Sequence, residues 1–592
     1  MSSKENQTGF EYWVFGYDLG MAAEPLGPLA TTALPASNAA EFLRARDFLL
    51  ANRSHYAEAY ANFRWPALER FNWAFDFFDV IAAHNTEPAL IIDTEGGSPQ
   101  SFSFAALSEQ SNQVANFLHR LGVRRGERIL VMLGNEVPLW ESMLAACKLG
   151  AVIMPTSLAI STDDLRDRLE RGQARYAIAT VNCVEKFRSC AAMDTRIVVG
   201  GPAEGWVEYE QAYAEAKQWV PEIPLKGTDP FLLYFTSGTT TKPKLVIHSQ
   251  YSYPVGHLST MYWIGVQPRD LHWNISSPGW AKHAWSSFFA PWNAGACILA
   301  ANDARFSASK TLERLVRFGV TTLCAPPTAW RMLVQEDLRQ YPVKLREVVS
   351  AGEPLNPEVV RKVEDSWSLT IRDGYGQTET TAIVGNTPGQ KVKAGSMGRP
   401  LPGYRIAVLD MNGQPAREGQ LYVDRRDALG LMTGFEAASE PGIDGASPSH
   451  HATGDVAHID EEGYVFFIGR MDDIFKSSDF RISPFELESI AVEHPAVLEA
   501  AVVPSPDPVR HTVPKIFIAL APGYAPNAET ARQIYSYLRD KLAPYNRIRR
   551  LEFVDLPKTA SGKIRRAELR RREQDRLLEA ARRPFEFLEQ DL

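Results

Sequence analysis

The sequence predicts an α/β protein with a large N-terminal domain, residues 1–471, and a smaller C-terminal domain, residues 472–592. Three observations support this fold class. From about residue 89 to residue 421, strand-like apolar runs alternate with amphipathic helical segments, a pattern typical of parallel sheets covered by helices. Residues 401–470 change to short strands and turns, which predict a small antiparallel barrel or sheet. Finally, 592 residues are too many for one compact core.

The elements follow in chain order. Residues 1–70 are aromatic-rich and irregular at first, and they become helix-like from about Asn38. Strand and helix patterns then recur, for example in RILVMLG followed by VPLWESMLAACKLGAVIMP. The Gly- and Ser-rich residues 434–452 predict a loop, and after Arg470 a βα pattern resumes over a segment of domain size. The tail, residues 564–592, predicts a charged helix with a mostly solvated surface.

Composition and charge exclude several classes of protein. The chain is 45% hydrophobic and 23% charged, as ordinary globular proteins are, and its net charge of −8 argues against general nucleic-acid binding. The first residues lack a secretory signal pattern, and no apolar stretch is long enough to span a bilayer. The five cysteines form no C-x-x-C pair, which favours buried thiols in a reducing compartment without a zinc site. We therefore expect a cytoplasmic protein with no membrane and no nucleic-acid partner.

The stretch FLLYFTSGTTTKPKLVI, residues 231–247, is the most informative segment of the chain. An apolar, β-rich run breaks into a loop rich in hydroxyl groups, and then an apolar run resumes. Hydroxyls and backbone N–H groups of such a loop can face phosphate oxygens, and Lys242 or Lys244 can neutralise their charge. The Walker A spacing is absent. The alternative interpretation is a Thr-rich solvated turn.

A second phosphate-region candidate, residues 373–379, follows the strand-like run SLTIR. Its two glycines permit close backbone approach, Tyr375 offers a flat face to a base, and Glu379 is a hard oxygen ligand for Mg²⁺. The alternative is a turn with a capping Glu. The segment SAGEP, residues 350–354, also follows a strand-like run, so it can line the same cleft.

Two further positions can carry chemistry. Asp455 follows Gly454 and can accept hydrogen bonds from two ribose hydroxyls, although Asp after Gly is also a common turn residue. Lys563 ends the loop PKTASGK, where a solvated lysine is the ordinary interpretation.

In this order, the motifs resemble the acyl-adenylate-forming superfamily of acyl-CoA synthetases, peptide-synthetase adenylation domains and luciferases. The resemblance covers about residues 80–570 and is closest to medium-chain acyl-CoA synthetases. That closer resemblance is carried by GWAKHAWSS (279–287), SAGEP, DGYGQTET, GSMGRP and SPDPVR. It implies a large domain of two helix-covered, mainly parallel sheets with a small β-barrel-like subdomain, followed by a small, mobile α+β domain.

The resemblance implies a two-step reaction. A carboxylate attacks the α-phosphate of ATP and gives acyl-AMP and pyrophosphate, and a thiol, usually that of coenzyme A, then displaces AMP. Because the first step brings an anion against a polyanion, charge neutralisation dominates its barrier. The molecules implied are ATP, Mg²⁺, coenzyme A and a small carboxylic acid.

The resemblance also implies a role for each matching residue. Catalytic roles fall to Lys563, which would bridge carboxylate and α-phosphate, to Glu379, which would hold Mg²⁺, and to Thr236. The nucleotide would be bound by Thr236, Ser237, Gly238, Thr239, Thr240, Lys244, Gly352, Glu353, Pro354, Asp373, Gly374, Tyr375, Gly376, Gln377, Thr378, Asp455, Arg470 and Arg481. The acyl pocket would be formed by Trp280, His283, Gly352 and Gly374. Coenzyme A would be bound by Ser478, Asp479, Phe480, Arg510 and Lys541. Asp472 would be the hinge about which the small domain turns between the half-reactions.

Three residues depart from the family pattern. Thr241 and Leu245 stand where the family has, or often has, glycine. If those glycines use positive φ, the replacements strain the loop by about 1–3 kcal/mol and weaken adenylation. Asp479 stands where the family usually has glycine beside the thiol channel, and its side chain is expected to narrow that channel.

We interpret the chain as an ATP-dependent acid–CoA ligase. The first alternative is an enzyme of the same fold that performs one half-reaction, and the second is a non-catalytic nucleotide- or acyl-binding protein. Trp280, His283 and Trp285 indicate aromatic walls suited to an aryl or medium-length apolar acid, unless the tryptophans pack only in the core. The oligomeric state is left open.

Overall fold

The structure is a computed structural model that describes residues 38–190, 193–221, 224–236, 243–303, 305–353, 355–436, 449–477, 480–507, 510–558, 563–575 and 583–591. The α-helices in these residues span Asn38–Ala51, Tyr56–Asn62, Asp79–Ala82, Phe104–Arg120, Val137–Leu149, Thr162–Gly172, His257–Ile264, Ala281–Ala284, Ala290–Ala294, Ala308–Phe318, Pro327–Leu333, Pro357–Trp367, Pro484–Ala491, Ala528–Lys541 and Arg566–Asp575. None of the helices in these ranges is both long and apolar enough to cross a membrane.

The N-terminal segment is packed onto the large domain. Its first helix begins at Asn38, where the sequence predicts helical structure to begin. On this helix, the ring of Phe42 lies 4.6 Å from that of Phe77, between centroids. Arg53, just after the helix, donates a 2.5 Å hydrogen bond to Glu347 in the central sheet. These contacts fix the segment to the body of the protein.

In the described part of the chain, nine strands form the first large sheet. Their spatial order is Arg399–Pro400, Ala382–Gly385, Arg372–Gly376, Glu347–Ala351, Thr322–Ala325, Leu271–Asn274, Cys297–Asn302, Pro88–Thr94 and Gln100–Ser103. The strands from Arg372–Gly376 to Pro88–Thr94 run parallel, and the outer ones are antiparallel. The carboxyl ends of the parallel strands therefore share one edge, where open α/β sheets bind ligands.

A second large sheet has eight strands within the described residues. Their order is Gly434–Phe435, Leu245–Ser249, Pro230–Phe235, Val152–Pro155, Arg128–Met132, Tyr176–Thr180, Thr195–Val199 and Val207–Glu208. All pairs are parallel except those made by the first two strands. Two mainly parallel sheets with helices between their strands confirm the predicted α/β fold class.

Local sequence explains where the covering helices begin and end. The helix Ala308–Phe318 starts after Ser307, whose hydroxyl accepts from the backbone N–H of Lys310. It ends at Gly319, which has φ +65°, a conformation that glycine adopts without strain. Leu312 and Leu315 on one face of the helix are fully buried. Capping and amphipathic spacing thus agree with the predicted strand–helix alternation.

The small subdomain is a four-stranded antiparallel sheet. Its strands Ile406–Leu409, Glu418–Asp424, His450–Ile459 and Val465–Arg470 pair in that order, which is open within the described residues. Of the two structures predicted for this region, a barrel or a sheet, the sheet is therefore the one observed. The loop predicted for 434–452 is wrong at both ends, because Gly434–Phe435 and the start of His450–Ile459 are strands, while 437–448 lie outside the described residues.

The C-terminal region has its own sheet and core. Strands Val497–Asp507, His511–Leu520, Arg550–Phe553 and Glu586–Leu588 pair in that order, and a hairpin, Phe475–Ser477 with Phe480–Ile482, precedes them. The core of the sheet includes Ile516, Ile534 and Leu551. The tail is not one solvated helix: it continues from the helix Arg566–Asp575 to the strand Glu586–Leu588, and Glu573 and Glu586 are buried.

Candidate active site

The predicted nucleotide-binding segments meet at the carboxyl edge of the nine-stranded sheet. The strand Glu347–Ala351 leads into Gly352, and the neighbouring strand Arg372–Gly376 contains all four residues of the predicted DGYG segment. The strand thus starts later than expected, because Asp373 and Gly374 pair with Ser350 and Ala351. Pro354 lies outside the described residues.

Gly352 leaves room for a ligand at this edge. Its φ is +107°, which side chains rarely adopt, and a Cβ atom built there meets nothing within 4 Å. The backbone is therefore open on the side that the sequence assigns to the nucleotide and the acyl group. Gly374 and Gly376 are also required by packing, because Cβ atoms there would lie 2.2 Å from the Trp263 ring and 2.3 Å from the Thr381 carbonyl oxygen.

Asp455 lies at the centre of a hydrogen-bonded group that includes three predicted nucleotide ligands. The Tyr375 hydroxyl and the Gln377 amide, the latter at 2.6 Å, both donate to one oxygen of Asp455. Arg470 donates to the other oxygen at 3.3 Å. Burial raises the pKa of Asp455, and Arg470 opposes the shift. The carboxylate is thus already oriented as a hydrogen-bond acceptor, as ribose binding requires.

Glu379 and Lys244, which the sequence assigns to magnesium and phosphate binding, interact electrostatically. Burial raises the pKa of Glu379, while the positive charges of Lys244 and Arg470 oppose the shift. The Met432 backbone N–H holds the main chain of Glu379 at 2.8 Å. No group of three His, Cys, Asp or Glu suited to a metal occurs in the described ranges. One carboxylate nevertheless suits Mg²⁺, which commonly binds one or two carboxylates together with substrate phosphates.

Thr236 and Lys244 close the base of the predicted phosphate loop. The backbone N–H of Thr236 donates to the Lys244 carbonyl at 2.9 Å, and the Thr236 hydroxyl accepts from the Lys244 N–H at 3.3 Å. The intervening loop residues lie outside the described residues: Ser237, Gly238, Thr239, Thr240, Thr241 and Lys242. The two ends of the loop are therefore held together by a short ladder of bonds.

The expected strain at Leu245 is wrong. Leu245 begins the antiparallel strand Leu245–Ser249, pairs with Phe235, and is absent from the described residues with positive φ. Its side chain is buried in the core of the second sheet. A leucine is therefore suited to this position, because the backbone is extended and the side chain packs.

Trp280 and His283 line a small cavity of about 20 Å³, together with Trp140, Met143, Tyr234 and Phe288. His283 is held by Asn135 at 3.1 Å, and burial lowers its pKa to about 3, so the ring is neutral at pH 7. Trp285 is instead a core residue, whose indole N–H donates to the Tyr253 hydroxyl at 2.7 Å. The core interpretation therefore holds for Trp285, while the acyl-pocket role of Trp280 and His283 remains a prediction.

Sequence reasoning missed Lys282, which lies between these two pocket residues. Its ammonium donates to the Ala351 carbonyl at 3.0 Å, at the end of a sheet strand. Burial lowers the pKa of Lys282, and Asp373 and Lys563 both interact with it electrostatically. Burial also raises the pKa of Asp373 to about 8. The sequence signal that could have identified Lys282 is the presence of a lysine inside the aromatic segment GWAKHAW.

His248 is a second position that sequence reasoning missed. It lies on the strand after the phosphate loop and contacts the Thr378 carbonyl through Nε2 at 2.7 Å. Burial lowers the pKa of His248 to about 4, so the neutral ring can donate that bond. His248 therefore supports the main chain of the second predicted nucleotide segment.

The C-terminal region contains the predicted catalytic lysine, Lys563, and the residues predicted to bind coenzyme A. Lys563 is exposed and lies within electrostatic range of Lys282. Phe480 is exposed and stacks on Tyr545 with centroids 4.7 Å apart, and Lys541 lies four residues before Tyr545. Arg481 is exposed beside Phe480, and Arg510 precedes Thr512, whose carbonyl accepts from Ser477. Ser478 and Asp479 lie outside the described residues.

Asp472 lies in an exposed turn between the strand Val465–Arg470 and the strand Phe475–Ser477. Arg470 donates to its carboxylate at 3.3 Å, so one arginine contacts both the predicted ribose ligand Asp455 and the predicted hinge. On the far side of the turn, Ser483 donates to the Ile468 carbonyl at 2.5 Å. The hinge role of Asp472 remains a prediction.

Known proteins resemble this chain along most of its length. The profile of the AMP-binding enzyme family matches residues 77–435, and that of the AMP-binding enzyme C-terminal domain matches residues 486–563. A 4-hydroxybutyrate–CoA ligase of Metallosphaera sedula is 42% identical over 523 residues, covering 86% of this chain and 92% of the relative. The mitochondrial acyl-coenzyme A synthetase ACSM3 of Rattus norvegicus is 36% identical, covering 88% and 94%.

Solved structures agree with these matches. The anthranilate CoA ligase AuaEII, in complex with anthranoyl-AMP, has a TM-score of 0.78 at 28% identity, covering 86% of this chain and 98% of that one. An acyl-CoA synthetase of Brucella canis has a TM-score of 0.69 at 31% identity, covering 88% and 99%. The chain therefore belongs to the AMP-binding enzyme family, among its acyl-CoA synthetases, the AMP-forming acid–thiol ligases.

Proposed function

We propose that the protein performs both half-reactions of an ATP-dependent carboxylic acid–CoA ligase on an aryl or medium-length apolar acid. The observation that carries the proposal is that Lys563 interacts electrostatically with Lys282, whose ammonium is hydrogen-bonded to Ala351 beside the open Gly352. Two cations at an open sheet edge favour a reaction in which a carboxylate must approach a polyphosphate.

In the first half-reaction, each predicted nucleotide-binding or catalytic residue would have its own role. Asp455 would accept the ribose hydroxyls and Tyr375 would lie against the base, while Thr236 and Lys244 would hold the outer phosphates. Glu379 would hold Mg²⁺, whose chemistry is to neutralise the phosphate oxygens. Lys563 would neutralise the carboxylate and the α-phosphate as the new P–O bond forms and pyrophosphate leaves.

The second half-reaction would use the other face of the C-terminal domain. A turn about Asp472 would withdraw Lys563 and bring forward the surface around Phe480, Arg510 and Lys541, which would bind coenzyme A. The exposed stack of Phe480 on Tyr545 supports a binding role for that surface. The thiol would then attack the acyl carbonyl and release AMP.

The acid would enter beside Trp280 and His283. The mainly apolar lining of the cavity supports an acid with an apolar body. The relatives named above act on small carboxylic acids, 4-hydroxybutyrate and anthranilate among them.

The test is to assay the half-reactions separately. A panel of linear, branched, hydroxylated and aromatic acids is screened by AMP release, and each active acid is then tested for pyrophosphate exchange. Thioester formation is measured from synthetic acyl-AMP and coenzyme A. We expect both activities with the same acid; thioester formation without exchange, or the reverse, would reduce the function to one half-reaction.

A further inference from the structure

Lys282 is partly buried, and its charge is balanced differently from that of several buried cations of the protein. Lys148 lies 2.8 Å from Asp79, Arg372 lies 2.7 Å from Glu347, and Arg314 lies 2.6 Å from Asp93. Among the residues that the structure describes, no carboxylate lies within 4.0 Å of the Lys282 ammonium, whose hydrogen bond goes to the Ala351 carbonyl. A cation removed from water without a counter-ion is costly, so proteins pair such groups.

The nearest acidic groups do not balance this charge. Asp373 interacts with Lys282, but burial raises its pKa to about 8, so it is mostly protonated at pH 7. Glu353 also interacts with Lys282, but Arg331 lies 3.8 Å from that carboxylate and Arg566 interacts with it as well. Lys563 adds a second positive charge to the same region. The edge of the sheet therefore carries an excess of positive charge.

The position of Lys282 indicates which anionic group its ammonium would bind. It follows Trp280 by two residues and precedes His283, and both of these line the cavity assigned to the acyl group. Its ammonium lies against Ala351, one residue before Gly352, whose surroundings are open. The side chain keeps partial solvent access, as expected for a group in the wall of a cleft. Lys282 thus lies where the acyl cavity meets the reaction centre.

We propose that Lys282 is a second catalytic lysine, which binds the carboxylate of the acid substrate and orients it toward the α-phosphate. This inference rests on the proposed ligase function. One carboxylate oxygen attacks phosphorus, the bond from phosphorus to the bridging oxygen breaks, and pyrophosphate leaves with the electron pair. Lys282 stays protonated throughout and holds the other carboxylate oxygen, while Lys563 acts on the phosphate side.

The test compares Lys282→Met with the unaltered protein. Methionine keeps the length and apolar volume of the side chain and removes the charge. Benzoate with benzamide, and hexanoate with hexanamide, serve as probe pairs, since each amide has the shape of its acid without the charge. Binding is measured by calorimetry, and adenylation by pyrophosphate exchange. Lys362→Met, a change at an exposed lysine of the same domain, is the matched control.

We expect Lys282→Met to weaken binding of the carboxylate on the order of 10- to 100-fold, the effect of losing one charge-assisted hydrogen bond. Amide binding, MgATP binding and the melting temperature should change little, and Lys282→Arg should restore part of the preference for the carboxylate. Lys362→Met should change none of these values.

Two results would overturn the inference. Equal weakening of acid and amide would show that Lys282 only shapes the pocket, and a joint loss of stability and MgATP binding would show that it only ties Ala351 in place. Failure of the ligase function gives a different result, because no acid would then support pyrophosphate exchange in the unaltered protein. The carboxylate–amide comparison would still decide the role of Lys282 in binding.

Discussion

Two groups of charged side chains in this protein are balanced in opposite ways. In the C-terminal domain, Lys515 lies 2.6, 2.8 and 2.9 Å from Glu552, Glu573 and Glu586, all four side chains being almost fully buried. Arg572 and Arg583 supply the remaining positive charge. At the sheet edge of the large domain, in contrast, Lys282 interacts electrostatically with Lys563, and no carboxylate of the described residues lies within 4.0 Å of the Lys282 ammonium.

The difference distinguishes a structural cluster from the proposed binding site. Three carboxylates and three cations neutralise one another in the C-terminal domain, so this cluster ties the strand Glu586–Leu588 and the helix Arg566–Asp575 to the central strands. A balanced cluster has no remaining charge for a ligand. The unbalanced edge lacks an anion, which the substrates would supply.

The largest effect is expected from breaking the balanced cluster. Lys515→Met leaves three buried carboxylates without their shared cation, so it should destabilise the C-terminal domain by about 3–5 kcal/mol. Hydrogen exchange in the strand His511–Leu520 measures this loss directly. Lys476→Met, at an exposed lysine of the same region, is the control. Unchanged exchange rates in Lys515→Met would show that the cluster does not hold the domain together.

The next largest effect concerns the cation that the C-terminal domain would bring to the unbalanced edge. Lys563→Ala should lower acyl-AMP formation by a factor on the order of 10² or more, because one charge contact of the transition state is lost. Thioester formation from supplied acyl-AMP should survive. Lys558→Ala, on the same segment, is the control. If both half-reactions fell equally, the assigned role of Lys563 would be wrong.

Glu141 offers an intermediate case, a buried carboxylate that two tyrosines rather than a cation contact. The hydroxyls of Tyr209 and Tyr213 each donate to it at 3.0 Å, and burial raises its pKa to about 7. Since the folded state keeps the proton longer than the unfolded state, stability should fall as the pH rises from about 4.5 through about 7.

Glu141→Gln removes that titration and keeps the shape of the side chain. Relative to the unaltered protein, the variant should gain about 1–3 kcal/mol at pH 8.5 and little at pH 5. Hydrogen exchange in the helix Val137–Leu149, measured at both pH values, reports the difference. A gain of the same size at both pH values would show that the titration of Glu141 does not govern the stability of this helix.

The smallest effect is expected at the turn that links the two regions. Asp472→Pro fixes φ near −65°, so it should hold the C-terminal domain in one orientation. One half-reaction should then slow at least about tenfold more than the other, since each needs its own orientation. Asp472→Ala, which removes the bond from Arg470 without fixing φ, is the control. Small and equal effects of the proline would remove Asp472 from the hinge role.

Local patterns predicted much of the fold and part of the site. Apolar runs and amphipathic spacing predicted the strand–helix alternation, and the first helix begins at Asn38, where helix-like sequence was predicted to begin. Motif order was sufficient to identify the family, because glycine, hydroxyl and charged residues at fixed spacings indicate nucleotide chemistry. Asp455, Tyr375 and Gln377, which are distant in sequence, do come together in space.

Properties that depend on distant partners needed the tertiary structure. Strain was expected at Leu245 because the family often has glycine there, but strand pairing makes its backbone extended. Gly374 and Gly376 looked like phosphate-approach residues, and only the fold shows that the Trp263 ring and the Thr381 carbonyl also leave no room for a side chain at these positions.

The sequence by itself determined the fold class, the family and the order of the nucleotide-binding segments, because these follow from periodicity and spacing along the chain. The tertiary structure alone decided the charge balance. Lys282 and Lys515 are both lysines within apolar surroundings in the sequence, yet one lacks a carboxylate within 4.0 Å in the described residues and the other has three. The physical reason is that the free energy of a buried charge depends on groups that folding brings within a few ångströms from distant parts of the chain.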